Sequence, residues 1–288
     1  MRPAIARRLW LVGEPVHAVV YFSPVAADRW AAAGFRGFWR GYFATRAAPF
    51  GPVGPGVVTA TFFNFDPRMV ARALPSVWAM GTPADALRAR LDAAAAALRE
   101  VLGTMAGEPA IAEAAGHIRR AIEGIAPDGR PLYGANAALA WPEEPLAALW
   151  HGLTLVREHR GDGHNAALLA AGIEGCGPHV LAAAVGGAPR AVTQPARGWD
   201  DDAWDAAAEG LGRRGLIEPD GTATPEGRAL HTSVEASTDG QALSPWLRLP
   251  PDEVEALAAG LARLSGRIAA AGVIRTPNPM GLPLPPPD

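Results

Sequence analysis

Apolar residues along this chain recur at the three-and-four spacing of an amphipathic helix far more often than at the alternation of a strand. Over 84–103, Leu87, Leu91, Leu98 and Leu102 share one side, Thr82 and Pro83 stand where a helix starts, and Gly103 stands where one stops. The same pattern predicts helices over 109–126, 143–159, 163–173, 201–214, 225–236 and 251–272. Strand signals are few. Thr59 to Phe65 reads equally as a strand or as the end of a helix. Arg214–Ile217 and Thr222–Thr224 read as two short strands around a Pro219-Asp220-Gly221 turn. The prolines from Pro277 to Pro287 predict an extended tail over 276–288. The expected class is mainly α, with short β-hairpins.

The order of these elements carries further information. A helix ends in Arg214-Gly215-Leu216-Ile217, a tight polar turn follows, and Thr224-Pro225-Glu226-Gly227 opens the next helix, with Thr224 as its cap and Pro225 at its first position. Over roughly 160–236 this resembles the wing and following helix of MarR-type winged-helix proteins. A fainter pattern suggests an internal duplication. Glu14-Pro15 pairs with Glu144-Pro145, Arg36-Gly37 with Arg160-Gly161, Pro67-Arg68 with Pro189-Arg190, and Trp141 with Trp246. Partner spacing drifts from 130 down to 105, as loop insertions in the first copy would produce. The expected organisation is a winged-helix-like copy at 1–140, a second at 141–275, and the tail at 276–288. MarR-type proteins are two-fold dimers, so a tandem copy would build the dimer interface within one chain. The expected assembly is a monomeric pseudo-dimer or a weak homodimer.

Across nearly its whole length the chain also resembles the actinobacterial SalK-like helix-turn-helix family. The resemblance rests on Arg7-Arg8-Leu9-Trp10, on Glu14 to Phe22, and on Gly37-Phe38-Trp39-Arg40-Gly41-Tyr42-Phe43. Further support comes from Arg46-Ala47-Ala48-Pro49, Arg157 to His164, Arg197-Gly198-Trp199, and Thr238-Asp239 with Pro245-Trp246. The resemblance implies no established activity.

Composition narrows the chemistry. All 26 basic residues are Arg, against 29 Asp+Glu, for a net charge of -3, and Ala occurs 61 times. Without lysine, Schiff-base and lysine-nucleophile mechanisms are excluded. A single Cys176 excludes an intrachain disulfide and a multi-cysteine zinc site. No apolar run reaches the roughly eighteen residues of a membrane helix, and the first residues lack the pattern of a secretory signal. A cytoplasmic protein that does not engage a membrane is expected.

The near-neutral charge argues against a dedicated nucleic-acid binder. The candidate recognition helices, 177–185 and 56–63, are largely aliphatic and cannot neutralise several phosphates. The polar cluster Glu158-His159-Arg160-Gly161-Asp162-Gly163-His164 stands out instead, its two glycines predicting a helix break. Asp162 there either caps the following helix or pairs with His164 for proton transfer, and Arg160 offers a site for a carboxylate or phosphate. At the matching place the first copy carries Arg36-Gly37-Phe38-Trp39-Arg40, so a cleft with one polar and one aromatic wall is expected. His17 and Tyr21, four residues apart, share a helix face. The leading expectation is a small organic ligand between the halves, bound by His17, Tyr21, Arg36, Trp39, Tyr42, His159 and Arg160, with His164 and Asp162 as candidate catalytic groups. Whether a reaction follows, and with which cofactor, stays open. No metal site is expected. A DNA-reading regulator and a haem- or metal-binding protein using His17 or His164 are the competing readings.

Overall fold

Prolines place the helix starts. The computed structural model describes residues 2–284, and nine of its fourteen α-helices open on proline, whose fixed φ suits the first helical turn and whose missing N–H costs nothing there. Among the described residues proline thus punctuates the chain at its helix starts. The helices are α1 (Arg2–Phe22), α2 (Pro24–Ala32), α3 (Phe38–Ala47), α4 (Pro55–Phe62), α5 (Pro67–Ala73), α6 (Pro83–Leu102) and α7 (Pro109–Ile122). They continue as α8 (Pro131–Ala137), α9 (Pro145–Ala170), α10 (Gly177–Ala184), α11 (Arg190–Arg197), α12 (Asp201–Arg213), α13 (Pro225–Gln241) and α14 (Pro251–Ala270). Among the described residues no single helix is long and apolar enough to cross a membrane.

The helices at 84–103, 109–126, 201–214, 225–236 and 251–272 form where the apolar spacing places them, within a few residues. Thr82 and Asp85 close a reciprocal capping box on α6. The break expected in the Glu158–His164 cluster does not occur. α9 runs unbroken from Pro145 through both glycines, because packing on both sides outweighs glycine's propensity penalty of about 1 kcal/mol. A Cβ on Gly163 would come within 2.8 Å of Arg130 and 3.1 Å of Gln241, so the glycine admits a close approach. Asp162 is consequently mid-helix and does not cap the chain that follows it; its carboxylate instead accepts from the Tyr133 N–H in the first turn of α8. The ambiguous Thr59–Phe65 stretch ends α4 and then turns at Phe63, whose φ is 65°.

Two apolar clusters form. The larger gathers side chains from Ala6 through Leu155 together with Ala242 to Leu282, centred on fully buried Trp30, Phe43, Leu98, Ile118 and Trp150. The smaller holds Ala167, Leu168, Ile173, Val180, Trp204, Leu211, Ile217 and Val234. α9 contributes to both, its first half to one and its last turns to the other, so the cores do not part at 140/141.

Within the smaller unit α11 and α12 are joined by Gly198-Trp199-Asp200, with Gly198 in the left-handed conformation at φ 77°, a short glycine-containing connection of the kind that joins the two helices of a helix-turn-helix motif. The second helix of that motif is therefore α12, and the 177–185 segment expected to read DNA is an internal helix. His179 on it is buried against the Asn64 carbonyl, with its Nε2 2.9 Å away. The expected hairpin shrinks to one antiparallel bridge, Ile217 with Ala223, and no strand forms among the described residues. The Ala223 N–H donates to the Ala184 carbonyl at the end of α10 (3.0 Å) instead of into a ladder. The proline-rich end is no free tail as far as Leu284. Asn278 folds it into a loop by accepting from the Met280 and Leu282 N–H groups, both at 3.1 Å, and Leu282 is buried. Pro285 to Pro287 lie outside the described residues.

Thr224 fastens the bridge to α13. Its N–H donates to the Leu216 carbonyl (3.1 Å), its hydroxyl donates to the Gly215 carbonyl (2.7 Å), and the same oxygen accepts from the Gly227 N–H (3.0 Å). Gly227 is required for this close contact, since a Cβ there would stand 2.0 Å from the Leu216 carbonyl oxygen. Gly227→Ala should therefore cost about 2 kcal/mol or more of unfolding free energy in urea titrations. Gly240→Ala, further along the same helix with open space around it, should be neutral or slightly stabilising.

Candidate functional site

A chamber of about 890 Å³ lies between the larger helical body and the α10–α13 unit, with the 279–283 segment along one side. One wall is aromatic. Tyr21 comes from α1, Trp39 and Tyr42 from α3, Phe62 from α4 and Phe65 from the turn behind it. Tyr42 touches Tyr21 (centroids 5.3 Å apart), Trp39 (5.5 Å) and Phe65 (5.6 Å), so the rings form one continuous surface. The opposite wall is a stripe of α9. Arg157, Gly161, His164, Asn165 and Leu168 line the chamber at helical spacing, flanked by Glu158, Arg160 and Asp162.

Charge inside the chamber is organised in two networks. At one end Glu158 accepts from Arg46 (3.1 Å) and Arg157 (2.7 Å), Arg157 reaches on to buried Glu14 (2.8 Å), and Arg46 also donates to the Tyr42 hydroxyl (2.8 Å). Burial alone would raise the Glu158 carboxyl, but the two guanidiniums hold it below the usual range. Glu14, with one cation beside it, is pushed up by burial. Burial also raises the Tyr21 hydroxyl to about 12. Arg197 of α11 faces this network, with its guanidinium over the Phe65 ring at 4.7 Å and Nη2 donating to the Pro279 carbonyl (2.8 Å). Its Nε is buried without a partner, and so is that of Arg46. At the other end Arg160 pairs with Asp239 (2.7 Å), and Arg7 pairs with Asp239 (3.0 Å) and with Glu235. There every cation has a carboxylate.

Of the nine residues singled out in the sequence, six line the chamber: Tyr21, Trp39, Tyr42, Arg160, Asp162 and His164. His17 does not. It stacks on Trp150 (4.8 Å, 11°), bonds to Thr154 (3.1 Å) and lines a separate pocket of about 30 Å³. Arg36 is exposed in the turn before α3, outside the chamber. His159 is turned away by the helical rotation and packs edge-on against Tyr133 (5.2 Å). Asp162 and His164, two apart on a helix, point apart and do not pair. Asp162 accepts from the Tyr133 N–H (2.8 Å), while His164 Nδ1 meets Thr238 (3.0 Å) with Glu235 at 3.8 Å. Burial raises Asp162 to about 6 and lowers His164. Among the described residues no three His, Cys, Asp or Glu side chains form a group able to hold a metal. Burial pushes the Cys176 thiol up to about 12, leaving it a packed, unreactive group at neutral pH.

Arg46, Arg157 and Arg197 carry the network and were given no role in the sequence reading. Tyr42 and Arg46 at i and i+4, and a run of charge inside an otherwise apolar helix at 157–162, were the available signals.

Several histidines are held neutral by burial. His151 and His179 fall to about 4 and His159 to about 3, from an ordinary 6.5. The unfolded chain takes up these protons as pH drops through 6.5 and the folded one does not, so the stability they confer is complete above pH 6.5 and lost on acidification toward 4. Asp162, between 3.8 and about 6, and the raised Glu14 act in the opposite sense, but burial lowers His17 and His164 as well, so the histidines outnumber the two carboxyls. The urea midpoint should therefore fall from pH 7 to pH 5. His159→Phe, which keeps the ring but not the proton site, should flatten that fall by about 1.4 kcal/mol per pH unit. A flat wild-type profile would contradict the assignment.

No curated protein and no solved structure matches the chain. A family profile described as a helix-turn-helix family matches residues 6–275, in keeping with the α11–α12 motif. The chain belongs to that helix-turn-helix family.

Proposed function

We propose that this chain is a small-molecule-binding protein of winged-helix ancestry, in which two diverged MarR-like copies form a single-chain pseudo-dimer of the SalK-like kind and hold an organic ligand in the chamber. The carrying observation is the chamber itself: about 890 Å³, one wall of packed rings, the other of convergent polar groups. Ligand sites commonly have that size and make-up. The duplication draws support from element order. α4, α5, α6 and α7, of 8, 7, 20 and 14 residues, follow one another as α10, α11, α12 and α13 do, of 8, 8, 13 and 17 residues. Any proton exchange with the ligand falls to Asp162 and His164, acting separately from neighbouring positions on α9.

DNA reading is the weaker alternative on electrostatic grounds. The second helix of a helix-turn-helix presents its N-terminal residues to the major groove. On α12 those positions are Asp200, Asp201 and Asp202, followed by exposed Asp205 and Glu209. Five carboxylates at the start and along the exposed side of α12 repel phosphates, and the cations beside them are already engaged, Arg190 with Asp201 and Asp205 and Arg68 with Asp200.

A thermal-shift screen of planar aromatic acids and neutral polycyclic compounds should yield hits that raise the wild-type Tm by several degrees. Trp39→Ala should weaken them about tenfold through lost ring contact. No hit in the wild type, or sequence-specific and salt-sensitive retention of duplex DNA in a mobility-shift assay, would overturn the proposal.

A further inference from the structure

We infer that the chamber's ligand is an aromatic monocarboxylate, whose carboxylate is taken by Arg197 with help from Arg46 while its ring lies along Phe62, Phe65 and Trp39. This rests on the chamber being a ligand site and goes further by naming the class of ligand and its anchor.

Charge matching gives the first argument. Around the aromatic end stand three guanidiniums, Arg46, Arg157 and Arg197, and two carboxylates, Glu14 and Glu158, leaving one positive charge unmatched. Arg197 forms no ion pair with any described carboxylate. A guanidinium does not shed its proton to escape burial, so a dehydrated one calls for an anion. Arginine offers five N–H donors in a planar fork suited to a carboxylate. Arg197 spends one on the Pro279 carbonyl and has the Tyr42 hydroxyl beside it, and its Nε and the Nε of Arg46 are buried without a partner.

The contrast with neighbouring arginines locates the anchor. Arg160 and Arg7 are already matched by Asp239 and Glu235. Arg90 also lacks a carboxylate, but its Nη1 donates to Asn136 (3.0 Å), its guanidinium faces Trp150 (5.4 Å), and it does not line the chamber. The vacancy is therefore at Arg197.

Ring geometry supplies the second argument. The Arg46 guanidinium lies 4.1 Å from the Phe62 centroid and that of Arg197 lies 4.7 Å from Phe65, so both cations rest on aromatic faces. Trp39 meets Phe65 edge-on at 6.0 Å and 75°. A carboxylate held by the two cations places its attached ring against this surface. A doubly charged phosphate would exceed the one unmatched charge.

The test pairs each acid with its uncharged amide: benzoate and benzamide, 2-naphthoate and 2-naphthamide, 4-biphenylcarboxylate and its amide, titrated calorimetrically at neutral pH. For at least one pair the acid should bind the wild type about tenfold or more tightly than the amide. In Arg197→Gln that ratio should fall to near one with the amide's affinity unchanged. Arg197→Lys, which keeps the charge but not the fork and secures the test should the glutamine variant misfold, should give an intermediate ratio. Arg36→Gln, outside the chamber, should leave the ratio as in the wild type. If acid and amide bind alike, the charge assignment falls and the chamber reading survives. If neither member of any pair binds, both fall. A ratio that persists in folded Arg197→Gln removes Arg197 as the anchor.

Discussion

A carboxylate midway along α9 sets the terms for everything around it. Glu158 sits between Arg46 of α3 and Arg157, and Arg157 in turn holds Glu14 of α1. Taking such charges out of water costs several kcal/mol for each ion, and the arrangement holds only while each carboxylate has its guanidinium. Three helices are thereby fixed in register at the edge of an apolar core. The chamber opens where that core stops, because a wall of paired charges cannot be closed over by aliphatic side chains.

The same constraint explains how α9 can be both spine and wall. Its first half, through Leu146, Leu149, Trp150 and Leu153, packs into the larger core, and Ala167 and Leu168 pack into the smaller one. Between them the polar stretch from Arg157 to Asn165 faces the gap that two separate cores leave. The helix-turn-helix unit contributes the far side. Its His179 and Trp199 both reach the Asn64 carbonyl, and the Asp66 N–H meets the Arg197 carbonyl at 2.9 Å, so the turn after α4 docks on that unit.

Local signals were legible wherever they were self-contained. The Thr82-Pro83 start, the Thr224 cap and the leucine spacing of α6 need no distant partner, and the structure bears them out. The Gly161 and Gly163 pair misled because the support that keeps α9 helical comes from Arg130 and α13, remote in sequence. The hairpin shrank for a like reason, its N–H being claimed by α10. At the site, aromatic residues and the polar stretch of α9 could be named from the chain. Which way each faces could not, so His17 and His159 turn into packing and Arg36 to solvent. The decisive guanidiniums were hardest to see, since an arginine's role depends on whether its acid partners number one too few.

The absence of lysine has a consequence for this interior. Every fixed cation beside the aromatic wall is a guanidinium, a group that keeps its proton across the whole physiological range. Neighbouring imidazoles are kept uncharged by burial and do not add to it. The number of positive charges along that wall is therefore written into the covalent chain, and what acidity changes there is the charge of the carboxyls, Asp162 and Glu14 first.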